Sequence, residues 1–426
     1  MRVLVIGSGG REHAICKQFL VDTKNVYCVP GNDGIAQIAN TKFISMNKFD
    51  EISDFVKANN IDYTFVGPEI PLANGITDYF FKKGLKIIGP SKYATLLESS
   101  KIYAKNFMKK FNIPTANFKS FDNASEALFF LKQMNNSKKI VIKADGLAAG
   151  KGVKVCNSKI EANSFINQIM TNKVFGDSGN RIIIEDYIEG SEISYMLFTD
   201  GVSYSVMPTS QDHKQIYDND CGDNTGGMGA YSPVNLTNMD SLNKKIEETI
   251  IKRVMCGIKE ENLNYKGILY IGVIIDNTNS PYVLEFNCRL GDPETQVVLP
   301  LLNTSLNDIC DAILNKNLSK INISWKKQMS VGVVLTSNGY PKNYETGFEI
   351  SGLEKVSNNT FIFHSGTKSI VKNGKISFIT NGGRVLSLTV LDDNLQNAIK
   401  KVYLDVSKIH FRNMYFRKDI GFKGIK

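Results

Sequence analysis

A carboxylate, an amide and a guanidinium recur at every second position of the segment VLEFNCRLGDPETQ, as Glu285, Asn287 and Arg289 of a 426-residue chain. Val283 and Leu284 open a strand there, and the two-residue period of a strand turns the three polar side chains to one face. Glu285 and Asn287 are then hard oxygen donors on a rigid backbone. That set suits Mg²⁺, which takes one or two protein ligands and leaves its other positions to phosphates and water. Arg289 beside them suits an anionic substrate. Gly291, Asp292 and Pro293 end the strand in a tight turn ahead of Glu294 and Gln296. Taken alone, the pattern also describes an edge strand with a solvated polar face.

Other clusters suit phosphate. In IVIKADGLAAGKGV, residues 140–153, a strand delivers Lys143 into a loop holding Gly146, Gly150, Lys151 and Gly152. Glycines let backbone approach an anion and let the loop close as a lid. The glycine spacing is one residue short of a Walker A loop, Gly152 stands at the hydroxyl position, and Val153–Cys156 continues as a strand. A β-hairpin phosphate flap results, and not a P-loop. At the start, Val3–Ile6 runs into Gly7-Ser8-Gly9-Gly10-Arg11-Glu12-His13 and a helical pattern, a strand, glycine turn and helix N-terminus that point free N–H groups at an anion. The dinucleotide fingerprint fails, because Glu12 fills its sixth position and Val26–Val29 leads into Pro30-Gly31-Asn32-Asp33-Gly34 without a terminal carboxylate. A phosphorylated sugar at the strand ends fits better.

The elements that must hold these clusters follow from the pattern between them. Strands at Tyr63–Val66 and Lys86–Ile88 also end in Gly/Pro turns, giving a doubly wound parallel sheet domain; Glu69, at the end of the first, either caps a helix or binds a hydroxyl or amine. Helices fall at Lys101–Phe111 and Ala124–Met134, and Arg181–Ile184 is a strand running into Glu185-Asp186-Tyr187-Ile188-Glu189-Gly190-Ser191-Glu192. Such an exposed edge can hydrogen-bond an adenine, with Glu192 on ribose hydroxyls, or be a plain acidic turn. TSQDHK (209–214) and NTGGMGAYSP (224–233) lie in long loops that suggest substrate handling. Tyr265–Ile275 hairpins through Asp276–Ser280 into the metal strand. From about Met329 the chain becomes a small α+β unit with strands Val331–Thr336, Phe361–His364 and Arg384–Val390 and a helix near Asn394–Ile409. A mixed helical stretch covers Asn243–Val254, and His364 and His410 read as structural.

Composition bounds the classes. Apolar residues at 42% and charged residues at 22% are ordinary for a globular chain, and the length calls for several domains. The net charge of +9 is spread along the chain without a dense basic block, which argues against nucleic acid. Seven scattered cysteines without a CxxC pair predict a reduced cytoplasmic protein with buried thiols. No apolar run reaches membrane-spanning length, and no signal peptide is read at MRVLVIG.

In order along the chain, GSGGREHA, KADGLAAGKGV, TSQDHK, NTGGMGAYSP, EFNCRLGDPETQ, TNGGRVL and FRKDIG resemble the phosphoribosylamine–glycine ligase family. The resemblance runs from Gly7 to Gly421. It implies an ATP-grasp fold, α/β and α+β multidomain: an N-terminal doubly wound domain (1–103), a central domain (104–121 and 191–326), a lid (122–190) and a C-terminal α+β domain (327–426). It implies ATP as co-substrate, Mg²⁺ or Mn²⁺ on Glu285 and Asn287, and glycine and 5-phosphoribosylamine as substrates. Lys105 and Lys143 would neutralise phosphate oxygens. Gly150, Lys151 and Gly152 would cover them, and Glu185, Tyr187, Ile188 and Glu192 would hold the nucleoside. Arg289, Asp212 and Lys143 would be catalytic, with Arg289 on the glycine carboxylate or the transferring phosphoryl group and Asp212 on the glycine ammonium. Gly9, Gly10, Arg11, Glu12, Asn32, Gly291 and Asp292 would complete the substrate site.

Against the family pattern, Tyr270 stands where many ATP-grasp enzymes place a metal carboxylate, and Leu290 where many relatives have Phe. The partners implied are small molecules only, with no nucleic acid or membrane and a monomer or weak homo-oligomer. Rival readings are an ATP-grasp ligase for another carboxylic acid, which should lack TSQDHK and GGREH, an NAD-dependent oxidoreductase, and a nucleic-acid-binding protein.

Overall fold

Val3, Leu4, Val5 and Ile6 are all fully buried, which a strand achieves only when both faces of its sheet are covered. In the computed structural model, which describes residues 1–135, 139–148, 151–235, 239–372 and 374–425, they form strand Arg2–Gly7 of a five-stranded parallel sheet. Its order is Asn40–Thr41, Asn25–Pro30, Arg2–Gly7, Tyr63–Val66, Ile87–Ile88. Val3 and Val5 pack with Ile15 and Phe19 of helix Gly10–Phe19, while Leu4 and Ile6 pack with Ile52 and Val56 of helix Phe49–Ala58. The two-residue alternation of the strand thus sorts side chains between two layers. The expected doubly wound unit is there, and the carboxyl ends of its strands carry the glycine turn and Glu69.

Next comes an antiparallel sheet ordered Phe118–Phe121, Ile182–Asp186, Ile140–Ala144, Val153–Cys156. Helices Ala124–Gln133 and Lys159–Ile166 cover one of its faces. Asn123 and Ser158 cap them by accepting first-turn N–H groups. A second antiparallel sheet runs Tyr204–Val206, Gly190–Thr199, Gly267–Asp276, Pro281–Asn287. The helical stretch expected at Asn243–Val254 is longer, running from Met239 to Glu260, with a π-helical segment at Glu247–Ile251. Its buried stripe of Leu242, Ile246, Ile250, Val254 and Ile258 lies against this sheet's core.

The last large sheet crosses the order of the sequence. Gln211–Asp212 pairs with Gly229–Ser232, which pairs onto Met329–Thr336, followed by Arg384–Asp392 and Phe361–His364. Helix Leu395–Val406, capped by Asn394, packs on it. The loops read at 209–233 therefore contain short strands, among them the ribbon Gln215–Tyr217 with Cys221–Asn224. All seven cysteines are free thiols; five are buried, but Cys221 and Cys256 are exposed, against the expectation of burial throughout. Among the described residues no helix is long and apolar enough to cross a membrane.

Candidate active site

The strand Pro281–Asn287 delivers Glu285 and ends at Asn287, so Arg289 lies just past the regular strand. It still faces Asn287, with Nη2 at 3.4 Å from Asn287 Oδ1. Its guanidinium is not free. Nε donates to Glu69 Oε2 at 2.8 Å and Nη2 lies 3.1 Å from Glu98 Oε1. Burial opposes ionisation of Glu69, but Arg289 and Arg11 hold its carboxyl below the usual range. Glu98 is more deeply buried, which pushes its carboxyl up despite Arg289 and the Cys288 N–H that it accepts at 2.7 Å. Glu69 is the first residue of helix Glu69–Ala73, whose cap position is Pro68, and its carboxylate turns to Arg289.

A bulge at Leu284, where Glu285 pairs with Gly272 and Val283 with Val273, frees the Leu284 carbonyl. Lys143 Nζ donates to it at 3.1 Å. Lys143 comes from strand Ile140–Ala144 and Lys105 from helix Lys101–Lys110, yet both meet Glu185 Oε2, at 3.1 and 3.2 Å. All three are buried. Burial, with Lys143 adding repulsion, lowers the Lys105 ammonium to about 8. The start of the flap is strapped to the same helix: Asp145 Oδ1 accepts from the Ile102 N–H at 2.8 Å and from Ser100 Oγ at 2.9 Å. Lys151 is exposed and Gly152 buried, where a Cβ would lie 2.7 Å from Ala148 Cβ. Gly150 lies outside the described residues. Tyr187 and Ile188 are half-buried beyond the end of strand Ile182–Asp186.

Asp212 sits in a carboxylate-rich corner. Burial pushes its carboxyl up to about 7, with Lys214 opposing and Glu294, Glu192 and Glu285 reinforcing. Lys214 Nζ pairs with Glu192 Oε2 at 2.5 Å. Burial works against the Lys214 ammonium, but Glu192 and Asp212 raise it well above its ordinary value. Glu285 is held below the usual carboxylate range by Lys214, Lys101 and Lys143 in spite of its burial. Tyr270, at the position of the missing carboxylate, donates to Glu294 Oε1 at 2.7 Å and shares a 2.8 Å hydrogen bond with Ser194. A carboxylate from a different element thus stands behind the tyrosine.

The turn after strand Pro281–Asn287 meets the N-terminal glycine turn. Arg11 Nη1 donates to Leu290 O at 3.2 Å, and Arg11 Nε pairs with Glu12 Oε1 at 2.5 Å. Glu12 Oε2 accepts the Gly9 N–H at 2.7 Å. Gly7, at φ +133°, and Gly67 leave the space that Glu12 fills: a Cβ would stand 2.3 Å from Glu12 Cγ or 2.2 Å from Oε1. A Cβ on Gly9 would come within 3.7 Å of Asp292 Oδ2, and one on Gly10 within 2.9 Å of Gln296 Nε2. Gly291 is crowded by Glu294 Oε2, 2.4 Å from its would-be Cβ. Asp292 pairs with Arg384 Nη2 at 2.7 Å, and Arg384 and Arg11 hold its carboxyl low against burial. Asn32 spends its amide on Ser8 O and His364 O, at 2.7 and 3.0 Å, and accepts the Ile35 N–H, so it braces the turn.

Three site residues escaped the sequence reading. Glu98 belongs to no motif, and its partner lies 191 positions away at Arg289. Arg384 and Lys214 stood in quoted motifs, TNGGRVL and TSQDHK, but nothing in their spacing told which carboxylates they meet. Among the described residues no group of three or more His, Cys, Asp or Glu side chains could hold a metal by itself. Glu285 and Asn287 supply two oxygen donors near the buried Lys105 and Lys143, a set that fits a hard divalent ion sharing its shell with phosphate.

Two antiparallel sheets, buried Lys143 of one and Lys105 of the adjoining helix meeting on Glu185, and a Glu-x-Asn strand in the other belong to an ATP-grasp protein. The same fold is found in the biotin carboxylase domain of the Hydrogenobacter thermophilus 2-oxoglutarate carboxylase, solved with MgADP, at TM-score 0.71 and 14% identity over 97% of this chain and 91% of that one. Family models for the N, ATP-grasp (A) and C domains of phosphoribosylglycinamide synthetase match residues 1–98, 99–295 and 330–423, and the chain belongs to that family. Similar proteins include the phosphoribosylamine–glycine ligases of Caldanaerobacter subterraneus, 45% identical over 99% of both chains, and of Neisseria meningitidis serogroup B, 43% identical over all of both. The crystal structure of the Thermotoga maritima phosphoribosylamine–glycine ligase superposes at TM-score 0.83 with 32% identity, covering 98% of this chain and 100% of that one.

Proposed function

We propose that the chain joins glycine to 5-phosphoribosylamine at the expense of ATP, through glycyl phosphate, giving glycinamide ribonucleotide, ADP and phosphate in purine biosynthesis. The observation that carries this reading is the contact between the two halves of the site. Arg11 of the N-terminal glycine turn donates to Leu290 O, and Arg289, one residue earlier, holds Glu69 at the end of a neighbouring parallel strand. A phosphosugar at the strand ends would present its amine where an activated carboxylate forms.

Glycine does not acylate an amine at neutral pH, because an oxide would have to leave; transfer of the γ-phosphoryl group gives a carboxyl phosphate whose phosphate leaves readily. Positioning and charge neutralisation do most of the work. Lys105 and Lys143 neutralise phosphate oxygens, and Lys151 and Gly152 of the flap cover them, which keeps water from the acyl phosphate. The backbone of Glu185, Tyr187 and Ile188 takes the adenine and Glu192 the ribose hydroxyls. Arg289 orients the glycine carboxylate or the phosphoryl group, and Asp212 takes the glycine ammonium. Gly9, Gly10, Arg11, Glu12, Gly291 and Asp292 line the phosphoribosylamine side, with Asn32 bracing it. Glu285 and Asn287 would hold Mg²⁺ or Mn²⁺, which supplies charge compensation on the phosphates when bound.

In this reading 122–190 is the lid over ATP and 327–426 the C-terminal domain, and the enzyme works in the cytoplasm on small molecules, without nucleic acid, as a monomer or weak homo-oligomer. The seven free thiols support that compartment. The test is ADP and phosphate release with ATP, glycine and freshly generated phosphoribosylamine, each omitted in turn. Release only with all three supports the proposal. Release of AMP and pyrophosphate, or indifference to glycine, overturns it.

A further inference from the structure

Arg417 is the largest of the fully buried side chains and lies far along the chain from every residue given a role above. Its guanidinium forks onto Asp419, with Nε to Oδ1 at 2.8 Å and Nη2 to Oδ2 at 2.6 Å. The remaining nitrogen, Nη1, reaches Gln215 O at 3.1 Å and Asp220 Oδ1 at 2.9 Å. Neighbours extend the grip. Asp419 Oδ2 accepts the Asn219 N–H at 2.8 Å, the Lys418 N–H goes to Asp218 Oδ1 at 2.8 Å, and Lys423 Nζ meets Asp220 Oδ2 at 2.5 Å. The segment 417–423 therefore grips the ribbon Gln215–Tyr217 with Cys221–Asn224 at its tip.

Elsewhere the ribbon is held by Ile216 in the core, a ring contact of Tyr217 with Tyr415 and an exposed pair of Asp223 with Lys342. Residues 221–224 are exposed throughout, and a two-stranded ribbon is marginal on its own. Asn219 and Asp220 are consecutive non-glycine residues at φ 59° and 54°, a conformation that persists only where surroundings enforce it. The neck of the ribbon is part of the site. Lys214 O accepts from the Thr225 N–H and from Thr225 Oγ1, both at 2.8 Å, and Thr225 Oγ1 accepts the Gly227 N–H at 2.9 Å. Gly227 lies so close to Pro293 that a Cβ would stand 2.3 Å from its Cδ. One end of the ribbon thus carries Asp212 and Lys214, and the other rests on the turn that carries Asp292.

We infer that Arg417 and its carboxylates form a positioning clamp that sets the Asp212–Lys214 wall at the distance needed to recognise the ammonium of a small amino acid. This rests on the assignment of Asp212 to glycine. Of the described residues given to ATP, Lys105, Lys143 and Glu185 are held by other elements and Glu192 alone touches this wall, through Lys214, so the clamp acts chiefly on glycine.

Two variants of the full chain test it. Arg417→Lys keeps the charge and loses the fork, and Asp220→Asn weakens one arm at a half-exposed position that tolerates change. With charged-fork geometry lost, the KM for glycine should rise about tenfold in the first and about threefold in the second, with the KM for ATP within about twofold of wild type. Amides of 212–224 should exchange hydrogen about tenfold faster in both. Unchanged glycine KM in a folded variant, or equal rises for glycine and ATP, overturns the clamp. If Arg417→Lys does not fold, Asp220→Asn decides. If the wild-type chain shows no glycine-dependent turnover, the functional reading fails, and exchange at 212–214 alone decides the clamp: faster supports it and unchanged overturns it.

Discussion

Arg289 and Glu69 are joined by a 2.8 Å ion pair across 220 positions of sequence, and that bond ties the carboxyl end of a parallel strand to the turn after strand Pro281–Asn287. With Glu98 on its other side, the guanidinium is the only cation bridging two buried or half-buried carboxylates at this junction among the described contacts. Arg289→Met should therefore cost stability as well as activity. Removing one partner of a buried pair costs about 3–5 kcal/mol, because the remaining charge is left unpaired. Urea denaturation measures this; a midpoint unchanged from wild type would refute the structural half of the role.

Glu285→Gln keeps shape and removes the negative charge that three lysines hold ionised. Turnover should fall by about 10²–10³-fold, the range for loss of one electrostatic contact in a transition state, with an intact circular dichroism spectrum. Rates measured against Mg²⁺ concentration should need more metal for half-saturation. Wild-type metal dependence would remove Glu285 from the metal site.

If Asp212 takes the glycine ammonium as proposed, its carboxyl, raised to about 7 by burial, should give glycine binding a pH dependence. An ammonium prefers the ionised carboxylate, so the free enzyme must lose a proton to bind at pH below that value. The KM for glycine should then fall as pH rises from about 5.5 to 7, by at most about tenfold per unit, and level off above. Asp212→Asn should bind glycine weakly at every pH. A flat wild-type profile across this window would count against the assignment.

Lys105 works with the opposite sign. Its ammonium, lowered to about 8 mainly by burial, loses its charge above that pH in the free enzyme, whereas bound phosphate favours the charged form. Equilibrium binding of ATP should be flat below about pH 8 and weaken above it, by at most about tenfold per unit. Calorimetry of wild type against Lys105→Arg checks this, since the arginine keeps its charge and should stay flat.

Gly67→Ala places a methyl group 2.2 Å from Glu12 Oε1 and must push that carboxylate off the Gly9 N–H and Arg11. Overpacking of this kind costs about 1–3 kcal/mol. The KM for phosphoribosylamine should rise more than that for ATP; equal changes would show that the turn does not touch the sugar.

Much of this was legible before any coordinates. The alternation in Val283–Asn287, the glycine turn after Val3–Ile6 and the lysine strand at 140–144 are local signals, written within one element, and the structure forms those elements where they were expected. What could not be read are the pairings between elements. Nothing local marks Glu98 as the partner of Arg289, or strand Gly229–Ser232 as a neighbour of Met329–Thr336, because these depend on which surfaces meet when layers stack. The regular strand also stops at Asn287, so the shared face of Glu285, Asn287 and Arg289 extends past the ladder through the turn.

Lys105 and Lys143 both lean on one oxygen of Glu185. In the proposed reading the cradle for phosphate is thus supplied with its own counter-anion, carried on strand Ile182–Asp186. An arriving nucleotide would then exchange partners with Glu185 and not meet two naked cations, so fewer dissolved ions would be displaced on binding. Ionic strength should then touch ATP affinity less than the number of lysines at the site suggests.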